Sequence, residues 1–185
     1  MNYRKEPYPK SLEQLLLEAH ELAIELKDKL SHDSTPILND LYKVVNDKVW
    51  RQTKLFESLG YFPNNKSGKS STENELKGIY VFGEQQGDKV VPVYVGISRT
   101  IFRRLRQHGW GKLHNECSLA YLLSNHEDPN ITRANVTNEI LNTSKEQLRN
   151  YKVVLHAVEE DYNLYFLEVA LAGIFRAKWN SFRTH

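Results

Sequence analysis

Apolar residues in the first sixty positions recur at helical spacing. Ser11 stands at capping-box distance from Gln14, and the stripe that follows predicts a helix to about residue 30, formed by Leu12, Leu15, Ala19, Leu22, Ala23, Leu26 and Leu30. A second helical pattern begins at Thr35-Pro36 and ends at about residue 60, where a glycine suits a helix end. We therefore expect a helical hairpin, forming an N-terminal extension over residues 1–63.

The periodicity changes from helix to strand after a polar stretch. Residues 64–75 carry no apolar side chain, which predicts a linker ending at about residue 76. Lys77–Glu84 and Val90–Ile97 are rich in β-branched and aromatic residues and predict the two strands of a hairpin. Pro92 lacks a backbone N–H, so we expect the second strand at a sheet edge or at a bulge.

The C-terminal half mixes both patterns. We expect a helix around Leu119–Leu123 and a short helix capped by Thr143, because Glu146 follows it three residues later. Tyr151–Glu160 alternates well enough for a third strand, and Leu164–Trp179 predicts a closing helix.

Composition indicates a globular protein. The 185 residues suit one domain, or one domain with an appendage, and the apolar fraction of 40% with 11% aromatics supplies a packed core. A net charge of +2 is too small to indicate nucleic-acid binding by itself. The single Cys117 excludes an internal disulfide, and no signal peptide or membrane span is recognisable, so we expect a cytoplasmic protein without a membrane partner.

Two phenols, a guanidinium and an imidazole are grouped around the predicted hairpin. Tyr80 and Tyr94 lie in its two strands. Arg104 follows Tyr94 by ten positions and His108 follows Arg104 by four, so the last two share one face of the next helix. A hydrophobic core does not require such a polar group, which therefore indicates a functional site.

These residues belong to an ordered set of motifs that resembles the GIY-YIG endonuclease family. The motifs are Gly78-Ile79-Tyr80, Tyr94-Val95-Gly96, Arg104, His108, Glu168 and Asn180. The resemblance implies an α+β fold over residues 77–185, with a three-stranded antiparallel sheet flanked by helices and an insertion at about 109–150. His108 is similar to the homing and restriction branches of the family. Ile97 stands where repair members often place a lysine.

The resemblance also implies an activity. It is that of a metal-dependent DNA endonuclease, of restriction or mobile-element type, which hydrolyses phosphodiester bonds with Mg²⁺, or Mn²⁺ in its place, held by Glu168. Tyr80 is expected to act as the general base, with Tyr94 and His108 orienting water or sharing the proton. Arg104 would stabilise the phosphate.

Asn180 alone is typical of a helix C-cap, whereas the resemblance makes it a phosphate or scaffold contact. Glu168 can also be interpreted without the family. It lies in the middle of an apolar helix face formed by Leu164, Leu171, Ala172, Phe175 and Trp179. A buried carboxylate needs a cation, which leaves two alternatives for Glu168: an ion pair with Arg104, or a metal ion.

Further cations surround the helix of Arg104. Arg99, Arg103, Arg106 and Lys112 suit contacts to flanking DNA phosphates, and a solvated helix face is the alternative. Cleavage of both strands at a symmetric site would imply a homodimer. Two competing functions stay open: a catalytically inactive DNA-binding or interaction module on the same fold, and a purely structural α/β protein.

Overall fold

A computed structural model describes residues 10–64 and 74–181. In chain order the elements are α1 (Leu12–Ser31), a 3-10 helix (Leu38–Leu41), β1 (Tyr42–Val45), β2 (Lys48–Arg51), α2 (Thr53–Ser58), β3 (Gly78–Gln86), β4 (Lys89–Ser98), α3 (Ile101–Trp110), α4 (Ser118–Glu127), α5 (Asn138–Arg149), β5 (Lys152–Ala157) and α6 (Asp161–Phe175). The fold class is α+β with a three-stranded antiparallel sheet, as predicted. Most of the predicted linker lies outside the described residues.

Helix α1 begins as the sequence predicts. The Ser11 hydroxyl accepts from the backbone N–H of Gln14 at 3.3 Å, and the Gln14 side chain accepts from the Ser11 N–H at 3.1 Å. These bonds satisfy two N–H groups that a helix start leaves without partners. All of the predicted stripe is buried except Leu12, which is 59% exposed.

The predicted helical hairpin is wrong in its second half. Residues 42–51 form an antiparallel β-hairpin, and only the six-residue α2 is helical after it. Asn46 and Asp47, between the two strands, have φ of 49° and 60°, the pair of positive values that a type I′ turn requires. The valines that flank the turn fit both helical and strand periodicity. The turn therefore determines that this segment forms a β-hairpin rather than a helix.

The three-stranded sheet has the order β4-β3-β5, with β3 in the centre. Phe82 pairs with Tyr94 but Gly83 pairs with Pro92, so the ladder shifts register at a bulge. Pro92 thus lies in an edge strand beside a bulge, which confirms the expectation drawn from its missing N–H.

Both faces of the sheet are covered. Ile79 and Val81 of β3 pack against α1 and α6 on one face. Tyr80 and Phe82 point to the other face, where the core includes Leu38, Leu41, Tyr42 and Phe56 from the N-terminal segment together with residues of α3 and α4. The described residues of the predicted extension therefore contribute to both cores. The division of the chain into extension, linker and nuclease domain stays a prediction.

Three predicted boundaries in the C-terminal half are wrong. Helix α5 begins before Thr143, because the Thr137 hydroxyl accepts from the Ile140 N–H at 3.3 Å and caps it there. Helix α4 extends from Ser118 to Glu127, well beyond the predicted segment. Helix α6 ends at Phe175, since Arg176 adopts a left-handed conformation with φ of 50°.

The predicted third strand is confirmed as β5, although it is shorter than the segment 151–160. Within residues 10–64 and 74–181, every helix is too short or too polar to cross a membrane.

Candidate functional site

The two phenols of the site come from neighbouring strands and lie on the same sheet face. Tyr80 belongs to the central strand β3 and is 1% exposed, whereas Tyr94 belongs to the edge strand β4 and is only partly buried. Their ring centroids are 6.1 Å apart. Gly96 makes room for them, because a Cβ at this position would lie 2.4 Å from the Tyr80 hydroxyl oxygen. The glycine of the second motif therefore has a packing reason.

Helix α3 brings His108 onto the phenols. The side chain of His108 is fully buried, and its Nε2 lies 2.8 Å from the hydroxyl oxygen of Tyr80. The rings of Tyr80, Phe82 and Tyr94 surround the imidazole at centroid distances of 5.5, 5.5 and 5.8 Å. Sequence spacing placed His108 on the same helix face as Arg104, and the structure places its side chain inside the core.

This environment keeps His108 neutral. Burial lowers the pKa of the imidazole well below its ordinary value, and the positive charge of Arg104 lowers it further. The Nδ1 atom is buried and has no hydrogen-bond partner among the described residues. A neutral imidazole carries one N–H and one lone pair, so Nε2 accepts a hydrogen bond from the Tyr80 hydroxyl when Nδ1 holds the hydrogen.

Arg104 is held by the loop that precedes α4. Its Nη1 donates to the carbonyl oxygens of Asn115 at 3.2 Å and Glu116 at 3.0 Å, and its Nη2 donates to the Ser118 hydroxyl at 2.8 Å. The guanidinium also interacts with the hydroxyls of Tyr80 and Tyr94. Arg104 therefore connects the two phenols to the segment 109–150, which the sequence predicted as an insertion.

Ser118 is a site residue that the sequence did not reveal. Its hydroxyl contacts Arg104 and also forms a hydrogen bond with Tyr94. Serine is common in polar segments and no motif surrounds position 118, so the sequence offered no signal for this role.

The phenols are protonated at neutral pH. Burial raises the pKa of Tyr80 well above its ordinary value, and the nearby Tyr94 raises it further, while Arg104 opposes both effects. Burial raises the pKa of Tyr94 as well, with Arg104 lowering it and the carboxylate of Glu168 raising it. Glu168 is therefore close enough to Tyr94 to act on it electrostatically.

Glu168 lies on α6, partly buried, and lacks a cation. Among the described residues it forms no ion pair, and Arg104 bonds to the groups named above instead. Burial is the cause that raises the pKa of its carboxyl group above the ordinary value. Of the two alternatives drawn from the sequence, the ion pair with Arg104 is therefore not found in the structure.

No cluster of three or more His, Cys, Asp or Glu side chains occurs within the described ranges.

Asn180 holds the chain after α6 against the edge strand. Its Oδ1 accepts from the Val95 N–H at 2.8 Å, and its Nδ2 donates to the Val95 carbonyl at 2.7 Å. The N–H of Trp179 donates to the Val93 carbonyl at 3.0 Å. Since α6 ends at Phe175, the interpretation of Asn180 as a helix C-cap is wrong, and its contact with Val95 is a scaffold contact.

The four predicted DNA-binding cations do not form one group. Arg99 lies 2.7 Å from the carboxylate of Asp161 at the start of α6. Arg103 and Arg106 are exposed on α3, and Arg106 is about 200° from Arg104 around the helix axis. Lys112 is exposed just after α3. Arg99 thus lies apart from the other three.

Comparisons with known protein families, with curated proteins and with solved structures found no match. The resemblance to GIY-YIG nucleases therefore depends on the sequence motifs alone.

Proposed function

We propose that the protein is a metal-dependent DNA endonuclease of the GIY-YIG type, acting as a restriction-type or mobile-element nuclease. The observation that carries the proposal is the convergence of five polar side chains from four elements, Tyr80, Tyr94, Arg104, His108 and Glu168. Two phenols, a neutral imidazole, a fixed cation and a carboxylate without a cation suit phosphodiester hydrolysis better than they suit a core.

Glu168 would hold Mg²⁺, or Mn²⁺ in its place. Within residues 10–64 and 74–181 this partly buried carboxylate has neither an ion pair nor a hydrogen-bond donor, so it is expensive to keep charged, and a divalent ion would offset that cost. When bound, the ion would polarise a phosphate oxygen and help to neutralise the charge that develops there.

Tyr94 is the phenol better placed to meet the attacking water. Its ring is partly exposed, whereas Tyr80 is 1% exposed, although burial raises the pKa of both phenols. Tyr80 interacts with Tyr94 on one side and with Nε2 of His108 on the other, so the neutral imidazole would orient the Tyr80 hydroxyl rather than take its proton. This assignment differs from the expectation that Tyr80 itself is the general base, and it follows from the burial of the two rings.

Arg104 supplies a fixed positive charge. Its bonds to the carbonyls of residues 115 and 116 hold the guanidinium in one position before substrate arrives. A preorganised charge does not have to reorient as the phosphate becomes more negative, which is the basis of electrostatic stabilisation in catalysis.

A second candidate is a DNA-binding module without turnover, and one observation favours it. Each terminal nitrogen of Arg104 already donates within the protein, to Asn115, Glu116 and Ser118, which reduces its capacity to bind a phosphate. Salt-dependent DNA binding without cleavage of duplex, flap or single-stranded substrates, in Mg²⁺ or Mn²⁺, would support this candidate.

Glu168→Gln tests the nuclease. The substitution preserves the shape and removes the charge, so we expect Mg²⁺-dependent nicking of plasmid DNA to fall by about 10²- to 10³-fold. Mg²⁺ should raise the melting temperature of the wild type but not that of the variant, because binding to the folded state stabilises it. Glu159→Gln, an exposed acid just before α6, is the control and should behave as the wild type. Wild-type nicking by Glu168→Gln would overturn the metal assignment.

A further inference from the structure

The β1–β2 hairpin presents an exposed indole. Trp50 lies on β2 and is 59% exposed, although tryptophan offers one of the largest apolar surfaces of any side chain. Strand β2 runs beside α3, and a groove of about 780 Å³ lies between them. A second groove of about 390 Å³ adjoins the first, since both are lined by Trp50 and Arg106.

Cations surround this indole. Lys48, Arg106 and Lys112 line the larger groove, and Arg103 lines the smaller one together with Arg106. None of the four pairs with a carboxylate of the described residues. The whole chain has a net charge of only +2, so the excess of positive charge here is local.

The two acids in the grooves are already engaged by the backbone. Glu116 accepts from the N–H groups of Lys112 at 3.0 Å and Leu113 at 3.3 Å. Glu75 accepts from the N–H of Arg103 at 3.2 Å. Glu75 also interacts electrostatically with Arg103, yet neither acid forms an ion pair with the four cations within residues 10–64 and 74–181.

We propose that Trp50 and the four cations bind an unpaired segment of DNA, with a base stacked on the indole and phosphates held by Arg103, Arg106 and Lys112. Stacking on an aromatic side chain requires a free base face, which a continuous duplex does not offer. The inference rests on the proposed nuclease function and names its substrate class, a DNA with a single-stranded segment beside the bond that is cut.

One residue, Glu116, connects the larger groove with the candidate site. Glu116 lines the larger groove, and its carbonyl oxygen accepts from Nη1 of Arg104 at 3.0 Å. Because Arg106 and Arg104 lie on different sides of α3, a bound strand would pass the end of that helix near Lys112 to reach the phenols.

Binding of labelled oligonucleotides in EDTA tests the proposal without cleavage. By fluorescence anisotropy, we expect the wild type to bind a 20-nucleotide single strand more tightly than the blunt duplex of the same sequence. Trp50→Ala should weaken binding of the single strand about tenfold and leave duplex binding unchanged, while Trp50→Phe should retain most of the affinity. Leu17→Ala, a 65% exposed apolar residue on α1, is the control and should bind as the wild type.

The salt dependence of DNA binding measures the contribution of the cations separately. Arg106→Gln should reduce the slope of log affinity against log salt concentration by about one, as expected when one phosphate contact is lost. Wild-type affinity of Trp50→Ala for the single strand, equal affinity for single strand and duplex, or no DNA binding at all would overturn the inference. The last result would point to a protein partner for the hairpin.

Failure of this inference and failure of the nuclease proposal are distinguishable. Single-strand binding in EDTA reports on Trp50 and the groove cations, whereas Mg²⁺-dependent nicking reports on Glu168, which lines neither groove. If Glu168→Gln nicked DNA at the wild-type rate while Trp50→Ala weakened single-strand binding, the metal assignment would be wrong and the binding inference would stand.

Discussion

His108 is a polar side chain surrounded by aromatic rings. Its Nδ1 lacks a partner among the described residues, and an unsatisfied buried nitrogen costs about 1–3 kcal/mol. An apolar residue of similar size at this position would avoid that cost. The imidazole instead gives the buried Tyr80 hydroxyl a hydrogen-bond partner at 2.8 Å, which an apolar residue could not provide.

The burial of His108 predicts a dependence of stability on pH. The pKa of His108 in the folded protein lies well below the ordinary value of 6.5. Below pH 6.5, His108 is therefore protonated in the unfolded chain while it stays neutral in the folded protein. We expect the free energy of unfolding to fall by about 1.4 kcal/mol per pH unit from this residue as the pH decreases below 6.5. Urea denaturation at pH 8.0, 6.0 and 5.0 measures it.

His108→Asn isolates this contribution. The variant should be less stable at every pH, yet its stability should fall less steeply below pH 6.5, because all other titrating groups are shared. Burial also lowers the pKa of His156, so part of the dependence of stability on pH remains in both proteins. Parallel curves for the two proteins would show that folded His108 protonates in the ordinary range.

Individual site residues were predictable where a motif fixed their identity. Tyr80, Tyr94 and His108 were found from ordered motifs, and the structure brings them together. The burial of His108 was not predictable, because spacing gives an angle around a helix but not what packs against it. Ser118 was not predictable either, since it meets Arg104 only through the fold of the loop between them.

Among the secondary-structure elements, the β1–β2 hairpin was missed for a definite physical reason. Valines at positions 44, 45 and 49 satisfy helical spacing and also favour strands. The deciding signal was the Asn46-Asp47 pair, since asparagine and aspartate tolerate positive φ better than other residues that carry a side chain. Element α1 was predicted well because its capping box and its long apolar stripe agree.

A substitution in the turn of this hairpin should stabilise the protein. Asp47 has φ of 60°, which strains a residue with a Cβ, and Asn-Gly is the preferred pair for a type I′ turn. We expect Asp47→Gly to raise the free energy of unfolding by about 0.5–1 kcal/mol in urea denaturation. Asp88→Gly is the matched control in the β3–β4 turn, because the φ of Asp88, unlike that of Gly87, is not positive, and it should destabilise by about 0.5 kcal/mol. A loss of stability in Asp47→Gly would contradict the strain assigned to Asp47.

The whole molecule is organised around one sheet with two covered faces. Leu26 and Leu30 of α1 are fully buried against one face, and Leu38, Leu41 and Phe56 are buried on the other. The sequence predicted the sheet but treated residues 1–63 as an appendage. A polar linker indicates where the chain is exposed, and it carries no information about which segments share a core.

These shared cores predict that residues 64–185 do not fold alone. Without the N-terminal segment, both sheet faces would lose apolar cover, and a lost Leu or Phe side chain costs about 2–5 kcal/mol while a domain has about 5–15 kcal/mol in total. Circular dichroism and NMR dispersion of this fragment should therefore indicate an unfolded or loosely packed chain, and addition of residues 1–63 as a separate peptide should restore structure. The full chain, melted under the same conditions, is the reference. Cooperative melting of the 64–185 fragment at the temperature of the full protein would instead show that the N-terminal segment is an independent extension, because the cover it gives to Ile79 and Tyr80 would then be dispensable.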